Sequence, residues 1–287
     1  LAQQAVIGLT PDQIKAANDR VAGTLRSRAR YFSPNGPPPD LEAETDAMLA
    51  DVDKVIGTCQ RDLIYSGAVL NLLEKNPKRA LELIGKIDDK ARAATLTDIL
   101  YSRRLDKELK NGDLDVAAGF VEKVSSPMVK TAAWANLASA YFKKGLKADG
   151  GRAADAGIKL IEKIEANDRA GAYFGMAVLL LSHDPGESAV MLDKGIKNLN
   201  KLDPLDTWPT RSTLEIELSC PNSGGKSVSS WGADFSNSDI FGAVTKLVKR
   251  DLDAINSATD GITDKSTRVR AQAIIARAGL AKYKLKK

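Results

Sequence analysis

Few residues in this chain are equipped for chemistry, and their spacing limits what each can do. Cys220-Pro-Asn-Ser-Gly-Gly-Lys-Ser227 ends in the Gly-Lys-Ser with which a glycine-rich loop holds nucleotide phosphates. The leading glycine of such a loop is replaced by Cys220, and Pro221 removes an amide that would face the phosphate. Val-Ser-Ser-Trp-Gly-Ala follows where a helix should begin, so the segment reads as a solvent loop. His183 is the only histidine, which excludes a two-histidine metal site, and no Gly-x-Ser-x-Gly turn supplies a nucleophile for it. It reads as a surface residue at a turn. Asp88-Asp89 with Asp98, and Asp251 with Asp253, lack the alternating oxygen ligands, turn glycine and distal Glu of a calcium loop. Acidic residues at helix starts follow from capping alone. The expectation is a chain with no catalytic residue, no cofactor and no metal.

A second pattern is periodic. Arg92-Ala-Ala-Thr-Leu96, Lys130-Thr-Ala-Ala-Trp134 and Arg169-Ala-Gly-Ala-Tyr173 each set a basic residue ahead of an Ala-rich helix, at intervals of 38 and 39 residues, and Arg268 stands in a similar place. Aligned in a stack, such cations either grip phosphates or carboxylates along one face, or reach a neighbour's carbonyls and carboxylates and hold adjacent hairpins together. Asp and Glu in the nearby turns favour the second role. Trp208, Trp231 and Phe235 lie away from the regular helices, where aromatic side chains either contact a partner or plug a loop onto the body.

The elements that must position these residues are helical. Aromatic residues make up only 5% of the 287 residues while Ala and Leu recur throughout, which favours helices over β-sandwiches. Thr10-Pro-Asp12 starts a helix with an apolar stripe at Ile14, Ala17, Val21 and Leu25, so residues 1–33 read as a helical arm. Ser33-Pro-Asn-Gly-Pro-Pro-Pro-Asp40 breaks it, making 34–40 a stiff linker. Residues 41–202 then read as helical-hairpin repeats. Ala80, Leu83, Ile84 and Ile87 form one buried face, and Ala117, Phe120, Val121 and Val124 repeat its spacing. A third repeat opens after Gly150-Gly151, with Val121-Glu-Lys-Val124 echoed as Ile161-Glu-Lys-Ile164. A fourth begins at Asp184-Pro185, with Val190, Met191 and Ile196 facing inward. Residues 203–239 read as an irregular insertion, within which Leu214-Glu-Ile-Glu-Leu218 fits a strand or a short helix. Residues 240–287 read as a capping hairpin that turns at Ile262-Thr-Asp-Lys265.

The period, short turns and repeated apolar faces resemble the helical-hairpin solenoids, the class that includes tetratricopeptide-like and HEAT-like repeats. The Trp-x-x-Leu-Gly-x-x-Tyr signature of the tetratricopeptide family is absent. The fold expected is therefore all-α, an α-solenoid of antiparallel helical hairpins. The resemblance implies a curved binding or assembly surface and supplies no site residues.

The net charge of +5 arises from 42 basic and 37 acidic residues, too diffuse for a nucleic-acid groove, although Lys282 to Lys287 form a basic tail. The longest apolar run is far short of the roughly 20 residues a membrane-spanning helix requires. Leu-Ala-Gln-Gln-Ala at the start resembles the region of a bacterial signal-peptidase site, which favours an exported over a cytoplasmic protein. Cys59 and Cys220 allow a single disulfide, expected in an exported chain, with two separate thiols as the alternative. The function expected is a non-enzymatic scaffold that binds a protein partner or another copy of itself through the arm. The alternative is nucleic-acid or polyanion binding by the Arg/Lys ladder and basic tail.

Overall fold

The computed structural model describes residues 40–55, 57–202, 213–217, 220, 228–232, 240–249 and 252–284. The N-terminal arm, the linker up to residue 39, residues 221–227, Trp208 and Phe235 lie outside them. The chain divides into two compact units, Leu1–Arg103 with Glu215–Ser230, and Arg104–Leu214 with Trp231–Lys287.

Unit 1 begins with α1 (Leu41–Leu49), capped by Asp40, whose carboxylate accepts from the amides of Glu42 and Ala43. A 3-10 turn (Val52–Lys54) leads to α2 (Thr58–Leu72) and α3 (Pro77–Ile84). The start of α3 is written locally: Asn76 accepts from the Arg79 amide, and Pro77 occupies the first turn, where its missing N–H is not needed. Helix α4 (Lys90–Asn111) follows, contributing its first part to this unit. Helix α2 packs on both α1 and α3. Val69, Leu72, Leu83, Ile87, Leu96 and Leu100 are buried in the core, each stabilising the fold by about 1.5–3 kcal/mol relative to exposure. Asp62, only 2% exposed, accepts from the amides of Asp88 (3.0 Å) and Asp89 (2.9 Å), so a buried carboxylate on α2 holds the turn that launches α4.

Unit 2 carries the rest of α4 and then α5 (Leu114–Lys123), α6 (Pro127–Lys143), α7 (Lys147–Ile161), α8 (Ala166–Leu180) and α9 (Pro185–Leu199). After the 203–239 segment come α10 (Ile240–Leu247), α11 (Leu252–Asp260) and α12 (Lys265–Lys284). Sequence neighbours pack most closely, α6 on α7 and α8 on α9, while α8 also meets α6, α7 and α10. One apolar core runs through them, with Ile161, Tyr173, Phe174, Met176, Met191, Val244 and Ile275 among its buried members. Among the described residues no helix is long and apolar enough to cross a membrane.

Several expectations are corrected in detail. Gly150-Gly151 does not open a repeat; both residues lie inside α7, which begins at Lys147. A Cβ placed on Gly150 would sit 2.5 Å from the Phe142 ring, so this glycine admits an aromatic side chain from the preceding helix. Gly195 does the same for Phe174, at 2.4 Å. Val190 points outward at 44% exposure, and the buried stripe of α9 is Ser188, Met191, Leu192, Ile196 and Leu199. The C-terminal region holds three helices, not one hairpin, because the pattern breaks between Leu247 and Leu252. The 203–239 segment is not wholly irregular: β1 (Thr213–Glu217) and β2 (Val228–Gly232) pair as a two-stranded sheet. The alternation of Leu214 and Ile216 with Glu215 and Glu217 suits a strand, and five residues are too few to nucleate a stable helix.

Candidate functional site

The periodic cations close helix ends. Helix α5 runs out at Val121-Glu-Lys-Val124, whose valines are buried, and its last carbonyls lack partners within the helix. The Lys130 ammonium, from α6, donates to the Glu122 carbonyl (2.9 Å) and pairs with the Glu122 carboxylate (3.0 Å). One repeat later, Ile161-Glu-Lys-Ile164 ends α7 and Arg169 reaches back from α8. Its guanidinium donates to the carbonyls of Ile164 (2.9 and 3.2 Å) and Glu162 (3.1 Å) and lies 3.5 Å from the Glu162 carboxylate. A cation at a helix C-terminus is doubly favoured, by the orphan carbonyls and by the helix dipole. The Tyr173 phenol adds a hydrogen bond to the same Glu162 carboxylate. Burial, then that bond and the Glu162 charge, hold its pKa well above the ordinary tyrosine value, with Arg169 opposing.

The structure extends this motif beyond the two copies evident from sequence. Ile84-Gly-Lys-Ile87 ends α3 and Leu199-Asn-Lys-Leu202 ends α9, with the outer apolar residues buried or partly buried in each. In the last copy Asn200 replaces the glutamate and binds another segment. Its amide donates to Gly261 O (2.8 Å) and its oxygen accepts from the Thr263 amide (3.0 Å) and hydroxyl (3.1 Å). In the first copy Gly85 replaces the glutamate. Arg92 is then the exception of the ladder: its Nη1 is buried without a hydrogen-bond partner. Arg268, at the start of α12, closes no helix end in this way.

A cleft of about 510 Å³ opens in unit 2 between the turn before α5 and the turn before α7. Asp113, Asp115, Tyr141, Lys144, Leu146 and Asp149 line it, with residues 111, 112 and 114. Asp113 is spent on the α5 N-terminus, accepting from the Val116 amide (3.2 Å), and Asp149 pairs with Arg152. Lys144, at the end of α6, donates to the Gly112 carbonyl (2.5 Å), just past the end of α4. Partial burial, followed by the charges of Asp115 and Asp149, pushes the Tyr141 phenol up, with Arg152 opposing. Sequence reading missed this cleft: its acids come from two distant turns, and each reads as an ordinary cap. His183 stacks on Phe142 with ring centroids 3.8 Å apart.

Cys59, at the start of α2, and Cys220, between the two strands, form a disulfide across 161 residues with Cα atoms 5.9 Å apart, both within unit 1. Trp231 lies in β2, so its backbone belongs to a strand. Among the described residues no set of three His, Cys, Asp or Glu is arranged to hold a metal ion. The site residues thus do not converge: Arg92 sits in unit 1, and Lys130 and Arg169 serve two separate helix ends in unit 2. Comparison with protein-family models, curated proteins and solved structures finds no match to this chain.

Proposed function

We propose that the chain is an α-solenoid of antiparallel helical hairpins that works as a non-enzymatic protein-interaction or self-assembly scaffold. The observation that carries this reading is the clasp: an apolar-x-Lys-apolar end on alternate helices (α3, α5, α7 and α9), closed at Glu122 and Glu162 by the cation of the next helix. A chain that repeats one joint invests its polar groups in stacking units, and stacked units present extended surfaces to partners. The acid-lined cleft at Tyr141 is a candidate contact surface for a cationic group, with the exposed Leu146 at its edge. The Cys59–Cys220 disulfide supports an exported protein, since such bonds persist in oxidising compartments.

Polyanion binding along the ladder has less support. Lys130 and Arg169 would have to leave carbonyls and carboxylates that they already hold. Light scattering after size exclusion tests the scaffold reading on the intact chain and on a chain lacking residues 1–33. A mass that rises with concentration and falls back to monomer on deletion supports assembly through the arm. An unchanged mass after deletion rejects that route.

A further inference from the structure

We infer that the acidic α1 of one copy docks on the basic α12 of another and joins copies head to tail, an inference that rests on the self-assembly reading. Residues 40–53 carry Asp40, Glu42, Glu44, Asp46, Asp51 and Asp53 and no basic residue. Helix α12 carries Lys265, Arg268, Arg270, Arg277, Lys282 and Lys284 and no acidic one. Neighbouring charges offset this only in part. Arg79 pairs with Asp46 and Lys54 with Asp51, while Asp264 accepts from the Thr267 amide (2.6 Å) and Asp260 from Gln272 (2.9 Å). Each helix also exposes an apolar row, and the two rows match in spacing. Ala43, Ala47 and Ala50 follow one another at i, i+4 and i+7 along α1 and its cap, as Val269, Ala273 and Ala276 do along α12, and all are exposed. Val269, at 62% exposure, is the most exposed large apolar side chain among the described residues. Glu42 and Asp46 flank the first row; Lys265 stands one turn before Val269 and Arg277 one turn beyond Ala273. Arg270 is already engaged over the Phe241 ring (4.9 Å). Small side chains let two helix axes approach to roughly 8 Å, which covers Val269 while the flanking charges meet. Like faces repel, so α1 selects α12 and not another α1. Two different faces meet, so every added copy presents a new one and growth continues. A single helix pair falls short of the roughly 1,200–2,000 Å² of a stable interface, so assembly rises with concentration and recedes with salt.

The test uses the full chain and two charge-reversed variants, Glu42→Lys with Asp53→Lys, and Lys265→Glu with Arg277→Glu, followed by light scattering after size exclusion. Each variant alone sets like charges against each other and should raise the concentration needed for association about tenfold. An equimolar mixture of the two should associate again, because reversed face then meets reversed face and native meets native. Thermal melts check that both variants fold. Lys159→Glu, on an exposed part of α7, should shift association less than about twofold. Association unchanged in both variants, or a mixture no more associated than its components, would overturn the inference. Association that persists in both variants yet disappears on removal of residues 1–33 would overturn it while the scaffold reading stands through the arm. A wild-type chain that is monomeric at every concentration would overturn both.

Discussion

Gly85→Glu should make the protein more stable, although it adds a negative charge at a helix C-terminus. Gly85 caps α3 at φ −62 and ψ −18, almost the conformation of Glu162 (φ −66, ψ −16), so a side chain needs no backbone change. A Cβ there would lie 3.4 Å from the Glu82 carbonyl, close to ordinary contact. Replacing glycine reduces the freedom of the unfolded chain, worth about 0.4–1 kcal/mol. A hydrogen bond to a charged donor adds about 1.5–3 kcal/mol, but partial exposure of Arg92 discounts it toward about 1 kcal/mol. The helix dipole opposes by about 0.3–1 kcal/mol. The balance is a gain of about 0.4–1.7 kcal/mol, or roughly 2–8 °C in the melting of unit 1. Urea unfolding of wild type, Gly85→Glu, Arg92→Ala and the double variant forms a cycle that isolates the pair. A coupling energy near 1 kcal/mol is expected. Additive effects, or a net loss of stability, would refute the claim that Arg92 lacks a partner its counterparts possess.

Other consequences follow from the same contacts. Arg169→Ala removes the donor from three helix-end hydrogen bonds and should destabilise unit 2 by about 1–3 kcal/mol in urea unfolding, more than Arg152→Ala at an exposed pair. The raised Tyr173 pKa means that the folded state retains its phenolic proton longer than the unfolded chain does. Its contribution is therefore complete below the ordinary value of 10.0 and is lost as pH rises beyond it, and absorbance titration near 295 nm should show delayed ionisation that Tyr173→Phe abolishes. Cys59→Ser opens a loop of 161 residues, which the chain-entropy treatment values at about 5 kcal/mol as an upper figure. Hydrogen exchange should locate the loss in α1, α2 and α3.

Local signals made the helices readable. Asn76-Pro77, Ser126-Pro127 and Asp184-Pro185 announce helix starts because the cap and the missing proline amide act within one turn, and each stands at an observed start. Buried stripes such as Ala80, Leu83 and Ile84 were equally legible, being a property of the helix alone. Gly150-Gly151 misled for the opposite reason: the Phe142 ring that Gly150 accommodates is a tertiary fact, and locally the pair resembles a break. The ladder was visible as a period, but not its direction. Lys130 and Arg169 reach the helix just before their own, and only the fold shows that Glu122 and Glu162 await them there. The substitution of Gly85 acquires meaning only once that geometry is known. The Tyr141 cleft left no periodic trace, since its two walls are separate turns.

The central claim, that repeated joints build an assembling scaffold, is tested most directly by the solution mass of the chain across a wide concentration range, measured by light scattering after size exclusion. The account predicts a mass above the 30.8 kDa of one chain that grows with concentration. A single species of 30.8 kDa at every concentration would contradict self-assembly.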